Sequence, residues 1–311
     1  MKADLSKSPV VVIGGANIDL TGQAAGDFVL GDSLPGEVRA TAGGVGRNIA
    51  EALARLGRPT KLITALGDDG FAEDIVRQTS VAGVDLRATL RVPETRSSTY
   101  LTVLDQSGEM VAAINDMELV GALTPRVLEE RWRDLEDAVA WIVDANLSEE
   151  ALAFLFDRQG DRRIMAEPVS AAKCARLKPF MNQLSLIKPN LMEAQILSGL
   201  TKEPDPAALC EALLSTGVER VVLSLGRDGL MGQDAQGPAV TQPTFPVEVV
   251  SVTGAGDTLM AALVEAQLAR WGLPQTLPWA QAAASLSLQS TRAIHPGLSE
   301  AAIRAEREAH L

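Results

Sequence analysis

Four short apolar runs, at 139–143, 163–166, 184–187 and 220–224, are separated and followed by stretches with helical spacing at 149–157, 171–181, 191–197 and 206–216. The first third reads the same way. An apolar run at 10–15 ends in glycines, and 45–56 has helical spacing and stops at Gly57. Residues 60–66 are strand-like and 71–82 helical. Short strands alternating with helices predict a parallel sheet joined by crossover connections and covered on both faces. Ligands in such folds bind beyond the carboxyl ends of the strands. Residues 14–19, 144–146, 188–193 and 224–229 fall there. A short β segment over 229–250 precedes helices at about 256–270, 276–290 and 299–307.

One region breaks the alternation. Two strand-like runs, 97–104 and 110–114, flank Asp105-Gln106-Ser107-Gly108, a hairpin signal. Residues 16–42 are irregular, punctuated by Gly22, Gly26, Gly31, Pro35 and Gly36. Together they predict a small β-rich lid, built from segments at about 16–42 and 95–117, over a single domain spanning 1–311.

Composition narrows the partners. The chain has 311 residues, is 46% hydrophobic and carries a net charge of −12, enough for a sizeable core. A globally acidic surface argues against a nucleic-acid backbone or an anionic membrane as the main partner. No apolar run reaches membrane-spanning length and no leader pattern opens the chain, so neither a transmembrane helix nor a signal peptide is expected. Cys174 and Cys210 show no CxxC spacing, and the histidines are His295 and His310. A zinc site has little material here, and a reducing, cytoplasmic compartment is expected.

The strongest chemical signal is Gly254-Ala255-Gly256-Asp257-Thr258, after a valine-rich extended run and at the start of a helical pattern. Small residues at a helix N-terminus let backbone N–H groups close on an anion, and the helix dipole favours it. A carboxylate beside a bound phosphate is a candidate base for an attacking hydroxyl. Asp is also a common helix cap. Gly43-Gly44-Val45-Gly46-Arg47-Asn48 precedes a helix but matches neither GxGxxG nor GxxxxGK[ST]. It suggests either a tight turn or close backbone approach to a polyhydroxylated ligand. Asn17 and Asp19 follow the first strand at i and i+2 and point the same way when extended. They suit vicinal hydroxyls, or simply fill a turn. Lys188-Pro189-Asn190-Leu191-Met192-Glu193 reads as a capping box, or as a nucleotide-phosphate and Mg²⁺ site. Ser224, Gly226 and Gly229 sit on a glycine turn that lines a nucleotide or joins a hairpin.

In this order the motifs resemble the ribokinase-like (PfkB) family of sugar and nucleoside kinases. The resemblance covers nearly the whole chain. It implies an α/β fold, a three-layer sandwich with a mostly parallel central sheet and a β-rich lid. It implies Asp257 as the catalytic base and the N–H groups of Gly254, Ala255 and Gly256 as the anion hole. Asn17, Asp19, Gly43, Gly44 and Asn48 would hold the sugar. Lys188, Asn190 and Glu193 would serve ATP and Mg²⁺, with Glu193 acting on the metal through water. Ser224, Gly226 and Gly229 would line the nucleotide, and the helix around Ala283 would border the adenine. Many members bind K⁺ beside the anion hole, and Ser251, Thr253 and Ala293 occupy the matching positions.

Ala16-Asn17-Ile18-Asp19, Gly43-Gly-Val-Gly-Arg-Asn48, Ile114-Asn115-Asp116-Met117 and Glu167-Pro-Val-Ser170 resemble the pseudouridine kinases within that family. The implied reaction is ATP-dependent phosphorylation of a nucleoside 5′-hydroxyl. Asn115, Asp116 and Asn146 would reach the base or ribose. Ribose, another nucleoside or a ketose are the alternative acceptors, and a non-catalytic sugar-binding regulator is the alternative of another class. The pattern departs at Glu167, where pseudouridine kinases tend to carry Asp. Ribokinase-type members carry Lys where this chain has Val45, and Arg47 is the one local cation for a phosphorylated sugar. Unpaired lid edges predict a homodimer through the lid.

Overall fold

The computed structural model describes residues 8–28, 31–201 and 204–310; positions 1–7, 29–30, 202–203 and 311 of the expected domain and lid lie outside the described residues. The chain runs β1 (Val10–Ile13), β2 (Asn17–Ala24), β3 (Gly36–Gly43), α1 (Val45–Arg55), β4 (Thr60–Ile63), β5 (Ala65–Leu66), α2 (Gly70–Ser80) and β6 (Leu90–Arg91). It continues through β7 (Thr99–Leu104), β8 (Met110–Asp116), α3 (Pro125–Glu130), α4 (Trp132–Glu136), β9 (Ala140–Asp144), α5 (Glu149–Asp157), β10 (Arg163–Glu167), β11 (Leu184–Ile187) and α6 (Leu191–Ser198). It ends with α7 (Pro206–Ser215), β12 (Arg220–Ser224), β13 (Leu230–Asp234), β14 (Val240–Gln242), α8 (Ala255–Leu268), α9 (Leu273–Leu288) and α10 (Glu300–Glu308).

The main sheet has eight strands in the order β14-β13-β12-β11-β10-β9-β1-β4. The pairs from β4 to β12 are parallel, and β13 and β14 add antiparallel at one edge. β1 shows why the strands read as unbroken apolar runs. Its residues alternate between faces: Val10 and Val12 pack with Ile49, Leu53, Met260 and Leu277, while Val11 and Ile13 pack with Leu128, Leu152 and Leu213. Helices α1, α8, α9 and α10 cover the first face and α3 to α7 the second, so β1, β9 and β11 are buried at every position.

The second sheet is the lid, four strands in the order β3-β2-β7-β8. The 16–42 segment is more regular than its glycines and proline predict. β2 and β3 pair over eight positions, from Asn17 opposite Gly43 to Ala24 opposite Gly36. Long-range pairing overrides local turn propensity here. Both edge strands are open, and every residue of β8 is exposed.

Three further expectations are corrected. The 60–66 run is two strands, broken at Thr64. Residues 171–181 are not an α-helix: a 3₁₀ helix runs Cys174–Gln183 with Pro179 inside it, and proline cannot donate the bond an α-helix needs there. The valine-rich run before Gly254 joins no strand, and Val249, Val250 and Val252 lie exposed. Cys174 and Cys210 are both buried and free, and burial pushes the Cys210 thiol up to about 12. No helix among the described residues is long and apolar enough to cross a membrane.

Candidate active site

The carboxyl ends of β1, β9, β10 and β11 meet the start of the lid and the N-termini of α1 and α8. The chain leaves β1 through Gly14 and Gly15, where side chains have no room. A Cβ on Gly14 would lie 2.3 Å from Asp144 Oδ2, and one on Gly15 would lie 2.8 Å from Asn146 Nδ2. Asp144 is buried and accepts hydrogen bonds from the backbone N–H of Gly15 at 2.8 Å and of Asn146 at 2.9 Å. It fixes the link between β1 and β2 at Gly15.

Those residues carry the expected acceptor-side groups. Asn17 Nδ2 donates to Asp19 Oδ1 at 2.6 Å, so the pair does share one face of β2. Burial raises the Asp19 pKa, against the pull of Asn17 and Arg47. Asp19 fills the space beside Gly43, where a Cβ would lie 2.0 Å from Oδ2. Gly44 caps α1 with φ of 97° and would bring a Cβ within 2.6 Å of Ala16 Cα. These glycines are dictated by close packing of the α1 start against the β1–β2 crossing. Asn115 and Asp116 lie on β8, exposed, opposite Tyr100 and Thr99 on β7. Met117 comes nearer, its Cε 3.0 Å from a Gly15 Cβ position.

Asp257 lies in the first turn of α8, behind Gly254, which takes φ of 79° at the cap. Asn48 Nδ2 donates to Asp257 Oδ2 at 2.8 Å, tying the two motifs across 209 residues. Burial raises the Asp257 pKa from the ordinary 3.8 to about 6; Asn48 and Lys188 oppose the rise, while Asp144 and Asp19 add to it. A carboxylate that ionises near neutrality at a helix N-terminus suits proton abstraction.

Lys188 is buried beside it. Its Nζ lies 3.0 Å from Glu167 Oε2 and 3.6 Å from a Gly256 Cβ position, so one cation faces both a buried carboxylate and the glycine-lined helix start. Burial raises the Glu167 pKa to about 8 despite Lys188, with Asp257 and Glu193 adding to the rise. Glu167 Oε2 has no hydrogen-bond partner of acceptable geometry, only this ion pair. An under-satisfied carboxylate oxygen with Glu193 nearby fits a hydrated cation. No cluster of three acidic, His or Cys side chains among the described residues could ligate a metal directly.

The expected capping box is present at the start of α6. Asn190 Oδ1 accepts from the Glu193 N–H and Glu193 Oε2 from the Asn190 N–H, both at 2.9 Å. Asn190 bridges to Ser224, the last residue of β12. Gly226 follows in a 3₁₀ turn, whereas Gly229 is explained by packing, since a Cβ there would lie 2.0 Å from Gln242 O. Ala283 is wholly buried among core residues of α9. It offers no surface to a ligand, because α9 is packed between α8 and α10. The Thr253 N–H donates to Ser251 Oγ at 3.2 Å, and Ala293 O would lie 1.9 Å from a Gly254 Cβ. Gly254→Ala should therefore force the 293 loop or the helix start to move. We expect at least a 10-fold loss of kcat, as a misplaced catalytic backbone costs, with a lowered Tm; parental kinetics in the purified variant would contradict it.

Asp144 and Lys173 escaped the sequence reading as site residues. Lys173 Nζ donates to Asn146 Oδ1 at 2.6 Å, which turns the Asn146 amide nitrogen towards Gly15. Asp144 was marked only by its place at a strand end, and its bond to Gly15 spans 129 residues. Two cavities, of 660 and 520 Å³, lie at the opposite end of the sheet, sharing Arg163 and Arg270. Arg163 there caps α8 by donating to Gln267 O at 3.0 Å, so cavity volume does not mark the chemistry.

Known proteins agree with this geometry. Residues 7–301 match the model of the pfkB family carbohydrate kinases. A pseudouridine kinase of Escherichia coli K12 is 37% identical over 295 residues, covering 94% of each chain. A putative sugar kinase from Clostridium perfringens superposes with a TM-score of 0.85 at 29% identity, covering 97% of this chain and 96% of that one. A putative ribokinase II from E. coli, solved with ATP and Mg²⁺, superposes with a TM-score of 0.83 at 19% identity, covering 97% of this chain and 100% of that one. With a family match across nearly its whole length and an acid-bearing, glycine-lined helix start at the sheet's carboxyl end, the chain belongs to the pfkB carbohydrate kinases, phosphotransferases with an alcohol group as acceptor.

Proposed function

We propose that this enzyme uses ATP and Mg²⁺ to phosphorylate the 5′-hydroxyl of pseudouridine. The observation that carries the reading is Asp257, a carboxylate with a pKa near neutrality at a glycine-lined helix start. The 37% identity to the E. coli pseudouridine kinase supports the acceptor. So does Arg47. Its guanidinium is buried and donates to Thr79 Oγ1, Ala42 O and Asn48 Oδ1, besides pairing with Glu51. With four protein partners and almost no exposure it is poorly placed to meet the second phosphate of a sugar phosphate, which favours an uncharged acceptor.

In this reading Asn17, Asp19, Asn48 and the backbone at Gly43 and Gly44 hold the ribose. Asp257 takes the hydroxyl proton as the oxygen attacks the terminal phosphorus of ATP, whose bond to the bridging oxygen breaks to release ADP. The N–H groups of Gly254, Ala255 and Gly256, with the Lys188 ammonium, face the charge that grows on the phosphoryl oxygens. Bound Mg²⁺ supplies further neutralisation of the phosphates, and Glu193 with Glu167 would hold its water shell. Asn190, Ser224, Gly226 and Gly229 border the nucleotide. The backbone around Ser251, Thr253 and Ala293 is the candidate K⁺ site. Asn146, oriented by Lys173, presents N–H donors suited to a carbonyl of the base, with Asn115 and Asp116 closing from the lid. Closure excludes water and limits ATP hydrolysis. A second copy pairing along the open edge of β3 or β8 would bury exposed Val38, Met110 and Ile114. A cytoplasmic setting suits two free, buried thiols.

The test is ADP release with Mg-ATP against pseudouridine, uridine, adenosine, ribose and fructose 6-phosphate. A selective response to pseudouridine is expected. A preference for another acceptor would sink the substrate and keep the base; silence with K⁺ present would favour a non-catalytic sugar-binding regulator.

A further inference from the structure

Asn48 presents a side-chain amide to Asp257, and an amide has two unlike ends. With its nitrogen towards Asp257 it donates to the carboxylate; reversed, its oxygen would repel it. Something must choose between these orientations. Arg47 is placed to do so, because its Nη1 donates to Asn48 Oδ1 at 3.0 Å while Asn48 Nδ2 donates to Asp257 Oδ2 at 2.8 Å. A guanidinium has donors only, so Arg47 can donate just to the amide's oxygen end.

Arg47 is itself held on every side. Nε donates to Thr79 Oγ1 at 3.0 Å and Nη1 to Ala42 O at 3.1 Å. Nη2 pairs with Glu51, one turn further along α1. Glu51 is shared with Arg55, whose Nη1 donates to Pro296 O at 2.7 Å. Arg47, Asn48 and Glu51 are all buried, at 4%, 4% and 5% exposure. Arg47 is therefore a poor candidate for solvent-facing ligand binding and a good one for fixing its neighbour.

We infer that Arg47 is a positioning residue, setting the orientation of the Asn48 amide and through it the placement of the Asp257 carboxylate. The inference rests on Asp257 as base. The charged groups around Asp257 from other elements are Asp19 on β2, Asp144 on β9, Glu167 on β10 and Lys188 after β11. None of them contacts the Asn48 amide, so its orientation is set from its two ends, by Asp257 at the nitrogen and by Arg47 at the oxygen.

The experiment compares Arg47→Lys with the parent enzyme in kcat, KM for ATP and the pH profile of kcat/KM for the acceptor. Lysine keeps the charge but not the fork that reaches four partners. We expect kcat to fall about 10- to 100-fold, the scale of a misplaced catalytic group, with KM for ATP nearly unchanged. The acid limb should move to higher pH, because a donor that favours the ionised Asp257 is lost. A folded variant with parental kcat and acid limb, even one with a lower Tm, overturns the inference. Should Arg47→Lys not fold, Thr79→Val removes one anchor of the fork without changing side-chain shape; an upward acid limb supports the role and an unmoved one overturns it. Asp257→Asn run in parallel separates the two readings: parental turnover there removes the base itself, whereas a dead Asp257→Asn beside an unaffected Arg47→Lys removes only the role of Arg47.

Discussion

Asp257→Asn folds, binds acceptor and nucleotide, and loses kcat by about 10²- to 10⁴-fold, the contribution of a positioned base. The amide keeps an oxygen for the Asn48 donor, so geometry is preserved while proton abstraction is lost. A thermal test separates lost chemistry from lost fold. In the parent, Asp257 ionises at about 6 rather than at the ordinary 3.8. Between those values the folded state binds more protons than the unfolded one, so the ionised carboxylate lowers parental stability as pH rises through this window. Asn carries no such cost. The variant should therefore be more stable than the parent above pH 7, by on the order of 1–3 kcal/mol, and gain nothing near pH 4. In the parent, kcat/KM should fall as pH drops through about 6. Parental turnover in the folded variant would falsify Asp257 as the base; an unstable variant at pH 8 would contradict the account of its burial.

Lys188→Met damages both stability and turnover, and a second substitution separates them. Breaking a buried ion pair by removing one partner costs about 3–5 kcal/mol. Glu167 softens this, because burial raises its pKa to about 8, so at pH 7 it is largely protonated and losing Lys188 strands little charge. We expect a loss of about 2–3 kcal/mol in denaturant unfolding at pH 7. Adding Glu167→Gln removes the ionisable group and should restore stability to within about 1 kcal/mol, since an uncharged replacement pair is often neutral. Turnover should stay down by about 10²- to 10³-fold, as expected when a group facing transition-state charge is lost. Recovery of turnover together with stability in the double variant would reduce Lys188 to a structural residue.

Much of this was legible in the chain. The alternation of strands and helices set the parallel sheet because each crossover must bury an apolar face. Gly254 to Asp257 announced themselves by residue type alone, as did Asn190 and Glu193, since caps and anion sites are local chemistry. What stayed hidden was long-range. β2 and β3 formed across Gly22 and Pro35 because they pair with each other and β2 pairs with β7 on its other side. The 3₁₀ turn at 174–183 replaced a helix because Pro179 lacks a donor. The Glu167–Lys188 pair joins two neighbouring strands whose alignment no spacing reveals. Ala283 sat in a plausible helix, but which face of α9 met solvent depended on α8 and α10. Arg47 read as a ligand-facing cation because its four partners are invisible until Thr79, Ala42 and Glu51 are folded around it.

The passage from β1 to β2 through Gly14 and Gly15 joins core and lid by three residues, with Asn17 and Asp19 just past the crossing. Such a short link is a lever. If Asn17 and Asp19 hold the sugar as proposed, tilting the lid and assembling those ligands are a single motion, with one free energy. An acceptor that binds only the closed form then has its apparent dissociation constant divided by the closed fraction. Residues on the lid's two outer strands, such as Val38 on β3 and Ile114 on β8, would then bear on that fraction from opposite edges. If a second copy packs on either edge, affinity for the acceptor becomes a property of enzyme concentration, tightening as subunits associate and weakening on dilution.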